Sequence, residues 1–515
     1  MKNNVLRKIL KCLAVILAVS CIFVLTSDSA FSRPGGGHGF SGGRGFGGGF
    51  RSGGYHGGGY HGGGYYGGYP MFNTGDSDTD YMLTVLALIL LSVITYPLYK
   101  TFSERNKEFY DEKYGAKPTE EILKKNRGSL SRRLKRLIES DPEFSKPIFL
   151  DYAVMLYNKY YISQGSAKMK EQIIPFFKDS CLPKEIKKYS EITIGAADIK
   201  NIEFQKDKCN IHVGFIASYT CKNTVNNKAF RYNVTEEWIF SRKNDVLTHK
   251  PEGFGVLRCP NCGGSLKFTD YGKCKHCGTK INFQAGQWIV SRISVMSFEK
   301  ITAYELLTYC EESGTNYPTV CNDNIHELEK QFSSAHLKLY KNFKEFSLKV
   351  VIPYFQEIYK HWSNGEWDKA RHLLSDRLWN NYEINQNQYK ELGYFNRLKN
   401  VHITKVYTVN YETDKNYEAV TVRIYAKCLD YIEDSSGNII AGDNEIERSF
   451  SEYWTFVANK NAKLQDGDLA KCPSCGAPIE KIGNSGICEY CNSKITDGNF
   501  SWVLFSITQD EVYTG

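Results

Sequence analysis

Two segments of this chain alternate apolar and polar residues around a tryptophan, Val234 to Arg242 and Phe450 to Val457. Each is followed by a second alternating segment that also carries a tryptophan, Gln287 to Ser294 and Ser501 to Thr508. Aromatic and β-branched residues dominate all four, and a two-residue period of this kind predicts half-buried strands. Upstream, Asp198 to Thr220 and Leu398 to Lys427 each read as strand, polar turn, strand. Ahead of those strands the period becomes helical. Phe149, Tyr152, Met155, Leu156 and Tyr160 share a face over Phe149 to Tyr161; Val351, Tyr354, Ile358 and Trp362 share one over Val350 to Trp362. Shorter helical stretches are expected at Lys168 to Lys178 and Trp367 to Leu378. The order helices, antiparallel sheet, long last hairpin thus runs twice. The expected fold class is α+β, with two tandem domains from a duplication far longer than solenoid repeats.

What interrupts each last hairpin is a cysteine pattern. Eight of the sixteen cysteines form two copies of Cys-x2-Cys … Cys-x2-Cys: Cys259, Cys262, Cys274 and Cys277, then Cys472, Cys475, Cys488 and Cys491. Four thiolates delivered on two tight turns surround one tetrahedral metal, with Zn–S near ~2.3 Å. Gly or Asn follows the second ligand of each turn, where a left-handed backbone is needed. Two disulfides per copy, a redox pair or iron in the same cage are the competing readings. A closed four-thiolate shell leaves no position for substrate, so two structural zinc ions are expected and no catalytic one.

The residues between these features resemble bacterial members of the translocase-of-inner-membrane subunit 44-like family (TIM 44-like). The resemblance is carried by Asp141-Pro-Glu-Phe144 before the first long helix, and by Trp362-Ser-Asn-Gly-Glu-Trp367 and Arg371-His-Leu-Leu-Ser-Asp-Arg377 after the second. Asn396-Arg-Leu-Lys-Asn-Val401, the Trp-x-Phe strands at Trp238 and Trp454, and the two final Trp strands complete it. The first copy departs from the pattern, with Tyr160-Tyr-Ile-Ser-Gln-Gly165 in place of the Trp-x-x-Gly turn. The resemblance implies a nuclear transport factor 2-like cone fold, membrane-associated scaffolding and, as in mitochondrial relatives, lipid contact. It implies no reaction.

The N-terminus bears on location. A basic start (Lys2, Arg7, Lys8, Lys11), an apolar run from Leu13 to Thr26 and small residues after it read as a signal peptide or signal anchor. Gly35 to Gly68 is more than half glycine and is expected to be disordered; His38, His56 and His61 are read as polar members of a tether. Tyr81 to Tyr99 carries no charge and is long enough to cross a bilayer. Asp76, Asp78 and Asp80 precede it, and Lys100 to Arg136 holds twelve Lys/Arg against six Asp/Glu. The positive-inside rule then places the chain after Lys100 in the cytoplasm of a bacterial cell, under the inner membrane. The expected organisation is signal 1–32, Gly/aromatic segment 33–80, transmembrane helix 81–99 and basic juxtamembrane segment 100–140. A first domain 141–300 (ribbon 257–281), a helical linker 301–340 and a second domain 341–515 (ribbon 470–495) follow.

That basic segment supplies most of the net charge of +8. It is read either as a surface for anionic lipid or as a plain stop-transfer region, and Gly128 argues against one continuous amphipathic helix. The ribbons are not strongly basic, which disfavours nucleic acid. An enzyme is not expected. His212, His361, His372 and His402 are scattered, and no phosphate loop or His-Glu-x-x-His helix occurs. Glu236, Glu237 and Glu452 on the tryptophan strands are expected on a solvated face, with a pocket acid as the alternative. Trp238, Trp288, Trp454 and Trp502 are expected to brace the domains rather than line a pocket. Cys181, Cys209, Cys221, Cys310, Cys321 and Cys428 read as unpaired. The expected function is a membrane-anchored scaffold holding a protein, peptide or lipid partner. The alternative is a membrane-bound enzyme with a small apolar substrate.

Overall fold

The structure, a computed structural model, describes residues 120–164, 173–183, 187–222, 229–250, 288–300, 315–462 and 469–510, with a few short stretches beside them. The expected signal, Gly-rich segment and membrane helix, the ligands Cys259, Cys262, Cys274 and Cys277, and Cys310 lie outside the described residues. Among the described residues no helix is long and apolar enough to cross a membrane.

Helix α1 (Glu120–Ser140) runs unbroken through Gly128, contrary to expectation. A glycine within a helix costs about 1 kcal/mol. Downstream, Leu137 is buried in the first core, and Leu130, Leu134 and Ile138 pack against it. Each well-buried leucine contributes about 1.5–3 kcal/mol, so tertiary packing outweighs the local penalty. This stretch of the basic helix therefore spends its apolar face on protein. Arg133 donates to the Ile202 carbonyl at 3.1 Å, and Arg136 lies 4.2 Å from the Phe204 ring.

The turn into α2 (Lys146–Ser163) is held by a buried ion pair. Asp141 accepts from Arg242 at 2.6 Å and from the Thr248 backbone at 2.9 Å. Phe144 beside it packs edge-on against Trp288 at 6.2 Å. α2 lies on an antiparallel sheet of β1 (Lys188–Phe204), β2 (Lys208–Lys222), β3 (Ala229–Lys243) and β4 (Ile289–Lys300), in that order.

The second unit begins at α3 (Ile325–His336), within the segment expected to be a linker. Phe332 of α3 is fully buried in the second core, so this helix belongs to the unit and the boundary at 341 is too late. A short helix (Phe343–Phe346) and a π turn (Ser347–Val351) lead into α4 (Ile352–Ser363). The expected helix Trp367 to Leu378 is a 3-10 segment, Trp367–Leu373, followed by α5 (Asp376–Leu392). The break has a cause: Leu374 turns extended to bridge Leu504, and Ser375 donates to the Leu504 carbonyl at 3.0 Å. α5 stops at Gly393, whose φ of 68° suits a residue without Cβ. The sheet follows, with β5 (Tyr394–Thr413), β6 (Tyr417–Asp434), β7 (Ile439–Gly442), β8 (Arg448–Asn459) and β9 (Val503–Gln509). Its order is β9-β8-β6-β5, with β7 paired to β6.

The same contacts recur in both units. The Tyr152 hydroxyl donates to the Trp288 carbonyl at 2.7 Å, and Tyr354 to the Trp502 carbonyl at 2.6 Å. Phe177 bridges Val290 in parallel, as Leu374 bridges Leu504. In the first unit, though, the described part of Lys168 to Lys178 includes a 3-10 turn, Ile174–Phe176, rather than a regular helix. The units share a core, since Tyr417, Ala419, Val457, Val503 and Phe505 join the first cluster. Asn381 of α5 caps the edge of β1, accepting from Ile194 N at 2.8 Å and donating to the same residue's carbonyl.

Asp141→Ala should strip Arg242 of its buried partner and cost about 3–5 kcal/mol, the range for orphaning a buried charge. Lys330→Ala, which breaks a well-exposed pair with Glu327, should cost under about 0.5 kcal/mol. Urea midpoints of the two variants read the difference.

Candidate metal centre and binding groove

The second cysteine set meets at one point. The four Sγ atoms of Cys472, Cys475, Cys488 and Cys491 lie within 4.8 Å of one another. Cys472 to Cys491 is 3.9 Å and Cys475 to Cys488 is 3.8 Å. A tetrahedron of thiolates ~2.3 Å from zinc has edges of about 3.8 Å, so the cage fits that ion. Each turn closes as its sequence requires. Gly476 (φ 76°) and Asn492 (φ 55°) follow the second ligands, and their N–H groups return to Cys472 and Cys488 at 2.8 Å. Burial pushes the Cys472 thiol up to about 12. The Ser493 hydroxyl and N–H hold Cys491 down to about 6. Cys491 thus offers a thiolate readily, and a bound cation would draw off the other protons.

The residues that carried the family resemblance clamp this ribbon to the second unit. Arg371, Asp376, Lys494 and Thr496 form one network. Arg371 donates to the Asn484 carbonyl at 2.7 Å and pairs with Asp376. Asp376 also receives Lys494 at 2.7 Å and Thr496 at 3.0 Å. Gly486 sits against the clamp: a Cβ there would lie 2.7 Å from Arg371 and 2.4 Å from Thr496.

The tryptophan strands hold a correction. Glu236 and Glu452 are buried, not solvated. The Trp238 indole donates to Glu236 at 2.9 Å, and the Tyr161 hydroxyl donates to it as well. In the second unit the Trp454 indole donates to Glu452 at 2.8 Å and Tyr359 at 2.9 Å. Burial raises the Glu236 carboxyl above the usual carboxylate range, although Tyr161 and Trp238 oppose this. Tyr157, Tyr161 and Trp238 close around one another with ring centroids 4.9–5.1 Å apart. Glu237 alone reaches the outer face, where His212 lies between it at 3.2 Å and Glu203 at 3.3 Å. All four strand tryptophans are buried in the cores.

The remaining histidines singled out in the sequence have different surroundings, although His361 lies close enough to His372 to add to its lowered pKa. His361 sits between Glu357 at 3.2 Å and Glu366 at 3.7 Å. Burial drives His372 down to about 4, so it is neutral. His402 is exposed and contacts the Asn400 carbonyl at 2.8 Å. The sequence reading passed over His336, which meets Glu418 at 2.8 Å beneath Phe332 and Trp502, while Tyr411 donates to the same carboxylate. Among the described residues, Cys181, Cys209, Cys221, Cys321 and Cys428 form no disulfide.

One open feature suits a partner. A groove of about 670 Å³ runs between α3, the π turn, α4 and β5. Ile325, Ile352, Phe355, Val401, Ile403 and Val406 supply its apolar lining.

Against known proteins, residues 332–465 match the model of a family described as "Tim44-like domain". That match covers the stretch of the second unit that holds Trp362 to Trp367, Arg371 to Arg377 and Asn396 to Val401. A solved structure titled "Ntf2 like protein involved in plasmid conjugation" is similar at 9% identity, covering 60% of this chain and 89% of that chain, with a TM-score of 0.18. No curated protein matches.

Cys488→Ser should remove the metal bound at the second ribbon and lower the melting temperature; metal analysis and thermal unfolding of wild type and variant read the two effects. Acidification should release the metal as the ligating thiolates protonate. At Glu236 the folded carboxyl titrates above its unfolded value. Its stabilising contribution is therefore present below the unfolded pKa and is lost as pH rises through the folded one. E236Q, which cannot ionise, should flatten that decline in melting temperature as pH rises above the ordinary carboxylate range.

Proposed function

We infer that this chain, which carries a Tim44-like domain over residues 332–465, is a membrane-anchored docking protein. In this reading its two units are duplicated cone domains, each clasped by a structural zinc ribbon. The Tyr81–Tyr99 segment anchors them to the bacterial inner membrane, with both units in the cytoplasm. The observation that carries the reading is the contrast between closed and open parts of the second unit. Its buried carboxylate, Glu452, is hydrogen-bonded on both sides and packed over by aromatic rings, whereas the groove is open and bordered by an edge strand. A sealed acid suits bracing, and an open apolar groove suits holding a partner.

Topology supports the same reading. The acidic flank before Tyr81 and the basic one after Tyr99 orient the anchor, and a cytoplasmic ribbon keeps its thiols reduced for metal. The alternative is an enzyme that uses the cone for a small apolar substrate. It finds its support in the raised carboxyl of Glu236, which Tyr161 and Trp238 already occupy.

Photo-crosslinking in cells separates the surfaces. A crosslinker at Tyr407, in the groove, should capture a discrete protein partner. The same group at Tyr490, exposed on the ribbon, should not. Capture only from Tyr490 would move the interface to the ribbon, and capture from neither would remove the docking reading.

A further inference from the structure

The groove has an unusual wall: among the described residues β5 is an edge strand, with β6 on one side and no strand on the other. Its span from Val401 to Thr408 lines the groove. Val409, just beyond, sends its carbonyl outward to accept from Asn322 N at 2.8 Å, so the chain itself already begins to pair with this edge. The pairing of β5 with β6 shifts register between Ile403 and Lys405 and again between Thr408 and Asn410, and runs unbroken from Lys405 to Thr408, so alternate backbone groups of that span face outward.

Charge decides what can complete the edge. Lys344 and Lys405 line the groove, both exposed, with no ion-pair partner among the described residues. The single acidic residue of the lining, Glu329, accepts from Phe343 N at 3.2 Å at the start of the short helix. Lysine on an edge strand is a common guard against strand pairing with copies of the same chain. An antiparallel, two-fold pairing of β5 with a second β5 centred near Lys405 would bring that lysine toward its own copy. An acidic strand meets the same lysines with attraction.

We propose that the groove takes an extended acidic peptide segment of a partner protein, added as a further strand to β5. Apolar side chains at every second position would rest on Val401, Ile403 and Val406. Carboxylates between them would meet Lys344 and Lys405. The backbone would pair with the outward groups of the unbroken span Lys405 to Thr408, which gives affinity, while the side-chain alternation gives specificity. The proposal rests on the docking reading and names the chemistry of its partner.

The test uses the full-length zinc-loaded chain in detergent and a fluorescein-labelled peptide, Glu-Val-Asp-Ile-Glu-Val-Asp. Fluorescence anisotropy should report binding that weakens with salt. Methylating alternate backbone nitrogens keeps charge and apolarity but removes strand pairing, and should weaken binding by about tenfold or more. Lys405→Glu and Lys344→Glu should each weaken it by about tenfold, as expected for a reversed charge at an interface. Lys390→Glu, exposed on α5 and outside the groove, should leave it unchanged.

Equal binding of the methylated peptide would overturn strand addition, and failure of both peptides would overturn the acidic strand. Selective binding of anionic vesicles, lost on Lys405→Glu, would assign the groove to lipid instead. Dimerisation through β5, seen by sedimentation and lost on the same substitution, would assign it to a second copy. Where the peptide fails but crosslinking from Tyr407 still captures a protein, the docking reading stands and the acidic-strand chemistry alone falls.

Discussion

The second unit depends on a strand that must come back. The chain leaves β8 at Asn459, builds the ribbon, and returns at Val503 to pair Val457 with Val503 and Phe456 with Leu504. Closing so long an excursion costs about 3 kcal/mol of chain entropy beyond a constant term. A structural zinc site contributes about 10–16 kcal/mol at neutral pH, which more than offsets that cost. The two ends are then knitted together away from the metal. Asn459 N donates to the Gly498 carbonyl at 2.8 Å, and Gly498 (φ 78°) packs so close that a Cβ would lie 3.1 Å from Ala458. Trp502 follows at once, with its carbonyl taken by Tyr354 of α4. The ribbon is thus part of the sheet's construction, and Asp376 fixes the direction in which it leans.

Much of this was legible in the chain. The period-two segments around Trp238 and Trp454 became β3 and β8, and the second cysteine set converged with its glycine and asparagine in the left-handed turns. What failed was instructive. Glu236 was expected in solvent because it is charged, yet Glu236, Trp238 and Phe240 are spaced by two and must share a pleat face. Glu452, Trp454 and Phe456 obey the same rule. The period put the carboxylates inside; only their tyrosine donors, which arrive from the helices, were beyond sequence reach. Gly128 misled for the opposite reason. Its penalty is local, whereas the leucines that outweigh it act through β1 and β2, far along the chain. Trp367 to Leu378 was read as one helix because the bridge from Leu374 to Leu504 spans a separation that no local pattern reports.

The shared core also constrains where the groove can act. α1 is seated on the first sheet, the first sheet shares apolar residues with β6, β8 and β9, and Asn381 stitches β1 to α5. Motion between the units would have to open that core and free Asn381's hydrogen bonds, so the described parts move as one piece on short timescales. Under the proposed topology, residues 100–119 alone connect this piece to the anchor. A fully extended chain reaches about 3.5 Å per residue, so twenty residues hold α1 within about 70 Å of the bilayer. From Leu130 to Ile138 α1 commits its apolar side chains to the first core, so in that proposal its basic residues, not these leucines, would meet anionic headgroups. The membrane would then act on the body by tethering and by charge, and the apolar groove on the second unit would be left for a different kind of ligand. A tethered receptor gains from this arrangement, because confinement near the bilayer raises the effective concentration of any partner held at the same surface.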